Sequence, residues 1–315
     1  METFLKLSIT FTFAFYSLIA ESRDDYLFEN PIDYKEKWTR LYPTEKQAIK
    51  KLLSVLKKSS TGKRIISLAQ RKAAKNGKRL IDLIEGGRVS LTDTTLVRKF
   101  SPSSPEKIYL STRSRIYLDR NLKVLDILLD LSHELTHYAL RDQFNPYKKT
   151  FQLKKFVKEM IEGRGGEVEA YLIECRVYKE LFPKLFDRSS SCSQVYNNKL
   201  DYFSRKKSIV KFYQVGRYID EFRNALNSFE LGVRDFPQIS SKPSFFISSS
   251  YGLPYPLAAI KEYSSIIKRV CRNDLKRLHL LEKKFRTKVM INKFNENKKY
   301  LSIKKLIRSR CQKKL

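Results

Sequence analysis

Two of the chain's three histidines, His133 and His137, stand four residues apart in LDLSHELTHYAL (129–140), and Glu134 directly follows the first. The flanking run NLKVLDILLDLSHELTHYALRDQ (121–143) is Leu-rich and free of Gly and Pro, so it predicts one helix, apolar nearly all round in its first half as a buried helix should be. At about 100° per residue, positions four apart stack one turn above each other. Both imidazoles then face one Zn²⁺. Glu134, about 100° round from His133, misses the metal but reaches a water bound to it. This is the H-E-x-x-H arrangement, two ligands plus a general base.

A catalytic zinc takes a third protein ligand and keeps one position for water. No further His follows at short range, and His279 falls in a distant basic stretch, where it reads as a surface residue. The remaining candidates are the glutamates of EMIEGRGGEVEAYLIECRVYKEL (159–181).

His133, Glu134 and His137 resemble the active-site helix of the zincin metallopeptidases, and the strand-like run KIYLSTRSRIYLD (107–119) just before that helix is in keeping with them. The resemblance covers residues 60–180 and rests on short motifs. It implies a zinc peptidase in which an edge strand beside the active-site helix pairs with extended substrate. In the glu-zincin branch the third ligand comes from a second helix in an E-x-x-A setting. Glu167-Val168-Glu169-Ala170 matches it, and Glu162, followed by Gly-Arg-Gly, matches less well. The segment FNPYKKTFQLKKF then forms an insertion in the 30 positions between His137 and Glu167.

If Gly165-Gly166 mark a helix start, Glu167 and Glu169 point about 200° apart, so only one can face the metal. Ala170 lies beside Glu167 and permits close helix packing, which makes Glu167 the expected ligand and Glu169 the runner-up. Glu174, seven residues on, shares that face and is expected to orient a histidine through its second ring nitrogen.

The N-terminal METFLKLSITFTFAFYSLIAES has the proportions of a signal peptide cleaved near Ala20, with an uncleaved anchor as the alternative. Export permits disulfides, and Cys175, Cys192, Cys271 and Cys311 allow three pairings. The net charge is +31, and residues 261–315 carry 19 Lys and Arg against 4 Asp and Glu, about half of the excess. Such charge is a solvated helix face or a contact with an anionic envelope surface. Nucleic acid is not expected, because no fold motif for it is visible.

Thr44-Glu45-Lys46-Gln47 opens a first helix as a capping box, and a second is expected from Gly62 to about Lys75. RLIDLIEGG and RVSLTD read as short strands or turns, and 195–226 as helical. The Pro- and Ser-rich stretch 235–256 is the best linker. The expected organisation is a signal peptide (1–20), a zincin-like domain (21–235) and a basic helical region (236–315) packed on it or separate. The fold class is α+β, mostly helical, with a small sheet beside the H-E-x-x-H helix. The leading reading is an exported zinc metallopeptidase acting on peptides or proteins. The alternative is a basic envelope-binding protein whose zinc site is structural or catalytically silent.

Overall fold

In the computed structural model, residues 34–148, 150–186, 191–288 and 294–311 are described, so the signal segment lies outside them. Helix α1 (Glu45–Leu56) starts where the Thr44 hydroxyl oxygen accepts the Gln47 N–H; the Gln47 side chain accepts the Thr44 hydroxyl in return. Helix α2 (Ser60–Lys75) begins two residues before the expected Gly62, capped by Ser59. Gly62 is needed for packing: a Cβ there would sit 2.1 Å from the Leu56 carbonyl.

Strands β1 (Ile84–Gly87), β2 (Leu91–Lys99) and β3 (Tyr109–Asp119) follow, in the order β1-β3-β2. β1 pairs parallel with β3, and β2 pairs antiparallel with it along its whole length. Two expectations are corrected here. The 107–119 run is the central strand, and the edge strand beside the site is β2. RVSLTD contributes only its last three residues to this nine-residue strand, which continues through TTLVRK. Its polar threonines belong on an edge that faces a cleft, so its hydrophobic signal is weak.

Helix α3 (Val124–Leu140) packs beneath β2 and β3 and against α2 and α5, which explains its apolar circumference. It is shorter than the expected 121–143 because the chain turns extended at Arg141. Helices α4 (Leu153–Glu162) and α5 (Glu167–Leu181) come next, joined by a glycine loop. A short α6 (Pro183–Phe186) leads on to residues 195–226, which are not one helix. A two-residue ladder, β4 (Tyr196–Asn197) with β5 (Tyr202–Phe203), precedes α7 (Arg205–Phe212) and α8 (Ile219–Asn227). Asp201 in the ladder's turn and Gly216 between the helices both adopt positive φ, which interrupts helical periodicity.

The 235–256 stretch holds β6 (Ile247–Ser248) and β7 (Leu253–Pro254), and at Ser240 its N–H donates to the Tyr213 carbonyl while its carbonyl accepts from the Val215 N–H. The long helix α9 (Tyr255–Lys288) packs on α4 and α8 and carries α10 (Phe294–Cys311) through the Cys271–Cys311 disulfide. The second disulfide, Cys175–Cys192, anchors α5 to the loop after α6. The class is α+β with small sheets. No described helix is long and apolar enough to cross a membrane.

Candidate metal centre and its cleft

Helix α3 presents His133 and His137 from one face, and α5 crosses it with Glu167 at its first residue. Ligand atoms of His133, His137 and Glu167 all lie within 4.8 Å of one another. Nε2 of His133 is 3.3 Å and Nε2 of His137 is 3.4 Å from the same Glu167 oxygen, Oε2. Each ring is fixed through its other nitrogen. His133 Nδ1 lies 3.0 Å from Glu174 Oε2, and His137 Nδ1 lies 2.8 Å from the Gly165 carbonyl and 2.9 Å from the Arg141 guanidinium. With the Nδ1 atoms held in this way, both Nε2 atoms face the common centre. Two imidazole nitrogens and one carboxylate oxygen fit Zn²⁺ with a position left for a reactant.

Burial lowers the His137 pKa to about 4, assisted by the Arg141 charge, so its ring is neutral. Burial would raise Glu167, but His137, His133 and Arg141 outweigh it and hold its pKa well below the carboxylate range. The start of α5 also favours a negative charge there. For His133, burial is outweighed by the bonds to Glu167 and Glu174, so its pKa lies well above the usual value. A dication among these donors would take the place of the His133 proton.

Gly165 sets up the approach of α5. Its φ is +65°, and a Cβ there would lie 2.4 Å from the Arg141 nitrogen, so only glycine lets this loop press on the end of α3. Glu169 turns back onto the Gly165 N–H at 2.7 Å, away from the histidines. Glu162 accepts from Tyr213 at 2.8 Å and does not reach the centre. Ala170 is buried in the same helix. His279 lies on α9, far along the chain from the cluster.

No protein-family model, curated protein or solved structure matches this chain.

Glu134 is 7 % exposed, and burial raises its pKa to about 7, only partly offset by the His133 charge and a bond from Thr92. It faces a cleft of about 840 Å³. One wall is β2 and the other is the α9 face carrying Tyr255, Ala259, Glu262 and Ile266. Burial, reinforced by the Glu167 and Glu134 charges, raises the Tyr255 pKa well above that of a free phenol, so its hydroxyl stays a proton donor.

Thr92, Arg141 and Tyr255 were not singled out from the sequence. Arg141 donates to Glu167 Oε1 at 3.0 Å and to the Gly165 carbonyl at 3.0 Å. Its position four residues after His137, on the same helical face, is a signal that was available. Thr92 and Tyr255 reach the site only through long-range packing.

Proposed function

We propose that the chain is an exported zinc metallopeptidase with a zincin-like site. The observation that carries this reading is a converging His133–His137–Glu167 donor set with a separate buried carboxylate, Glu134, facing the same cleft. Zn²⁺ held there would polarise the scissile carbonyl and acidify a bound water. Glu134, with a pKa of about 7, is matched to take the proton of the attacking water and return it to the leaving amine. The C–N bond breaks, the acyl carbon keeps the hydroxyl, and the amine leaves with the proton. Tyr255, on the opposite wall, donates its hydroxyl to the oxygen on which charge develops. β2 supplies unpaired edge backbone along which an extended peptide can lie.

The test is a paired substitution. Glu134→Gln should retain about one zinc per chain and lose hydrolysis by at least about 100-fold, whereas His137→Ala should lose both. Full hydrolysis by Glu134→Gln overturns the mechanism. Export is tested by N-terminal sequencing, expected to start just after Ala20; a chain beginning at Met1 supports the anchor instead. The basic 261–315 region is proposed to hold the protein on anionic envelope surfaces, giving vesicle binding that weakens as salt rises.

A further inference from the structure

The cleft is lined on two sides by β2 and α9, which are bridged six strand positions from Thr92, the residue bonded to Glu134. There Arg98 of β2 forms a buried ion pair with Asp274 of α9, their side chains 7 % and 2 % exposed. The Arg98 guanidinium stacks over the Tyr147 ring at 4.2 Å, and the Tyr147 hydroxyl donates to Asn273 Oδ1 at 3.4 Å. Edge strand, insertion and long helix are thereby knitted into an end wall. Beyond it, α9 also grips the β2–β3 turn, Arg277 donating to the Pro105 carbonyl at 2.8 Å and Lys284 bonding Glu106 at 2.9 Å. An open groove would leave the two walls unbridged at both ends.

The length of the cleft follows from the strand. Thr92 touches Glu134, and Arg98 stands at the wall. Six positions of extended strand span about 20 Å, the length of about six residues of peptide laid along β2. We infer that the cleft is blind on the Arg98 side, so that the substrate is a short peptide or a polypeptide end reaching no more than about six residues past the cleaved bond on that side. This rests on the peptidase reading. The residue pair that sets the limit, Arg98 and Asp274, touches neither the metal ligands nor Glu134.

The test uses zinc-loaded Glu134→Gln protein and a ladder of mixed-sequence synthetic peptides, lengthened one residue at a time at either end and read by fluorescence anisotropy. Lengthening one end should tighten binding up to about six residues and then weaken it about 10-fold. Replacing both partners, Arg98→Met with Asp274→Leu, should abolish that penalty; both are changed together because a lone buried charge would destabilise the fold. Should this double variant fail to keep its zinc or its melting temperature, Asn273→Trp fills the cleft end and should shorten the limit by about one or two residues. In parallel, the wild-type protein should cut blocked polypeptides only near one end. Affinity that ignores length, or cleavage in the middle of long blocked chains, overturns the inference and leaves the peptidase reading standing. Failure to bind or cut peptides of any length overturns both.

Discussion

The hydroxyl of Thr92 donates to Oε2 of Glu134 across 2.7 Å, tying the edge strand β2 to the carboxylate proposed as general base. The same hydroxyl also lies 2.9 Å from the Glu134 carbonyl, so one side chain holds both the strand and the helix. Thr92→Val keeps the shape and removes the hydrogen bond. It should leave zinc content unchanged and lower kcat by about 10-fold, the equivalent of one hydrogen bond to a charged group. Thr92→Ser should recover most of the rate. Loss of zinc in Thr92→Val would show that the contact supports the fold of the centre and not the base.

The glutamates of α5 separate by metal affinity. Glu167→Ala removes a donor and should weaken zinc binding strongly. Glu169→Ala should leave it nearly intact, because Glu169 accepts from the Gly165 N–H and is not among the converging ligand atoms. Glu174→Gln should weaken it by about 10- to 100-fold, as loss of a ligand-orienting partner does. Competition with a fluorescent chelator measures all three. Strong loss in Glu169→Ala with normal binding in Glu167→Ala would displace the ligand assignment.

Gly165→Ala combines a left-handed backbone with a Cβ 2.4 Å from the Arg141 nitrogen. The expected cost is about 1–3 kcal/mol of stability. Zinc affinity should fall with it, because the Gly165 carbonyl orients His137. Thermal unfolding with and without added zinc checks both, and an unchanged melting temperature would mean that the loop is not held as described.

Glu180 ties α5 to the start of α2, accepting from the Ser59 hydroxyl at 2.6 Å and the Thr61 N–H at 3.0 Å. Partial burial raises its pKa, but the bonds from Ser59 and Thr61 outweigh that and leave it lowered. A carboxylate with a depressed folded pKa adds stability above its unfolded pKa, and that stability is lost as pH falls through the folded value. Glu180→Gln should therefore cost about 1 kcal/mol at neutral pH, after allowance for solvent screening. The difference from wild type should shrink as pH drops below the ordinary glutamate range. Denaturant titrations at neutral and acid pH decide it; a constant difference would assign the effect to shape and not charge.

The local features of the centre were legible because they depend on helical period alone. His133 and His137 share a face by spacing, and Glu134 is offset from them by one residue's rotation. The same reasoning separates Glu167 from Glu169. Glu174 falls on the Glu167 face for the same reason. The Thr44 cap and the position of β3 were readable too, since capping chemistry and strand alternation are local.

Other features belong to the tertiary structure, because they join segments whose separation carries no periodic signal. Four cysteines permit three pairings, and only packing brings Cys175 to Cys192 and Cys271 to Cys311. β2, not β3, is the edge, because β1 returns parallel to pair on the far side of β3. The basic helix α9 reads from sequence as a solvated face or an anionic-surface contact, packed on the rest or separate, and the structure makes residues between Tyr255 and Asn273 part of the cleft lining. Arg98 and Asp274 are 176 positions apart. Spacing determines which side chains share a helix face; which distant surface that face meets is decided by how the whole chain buries its apolar area.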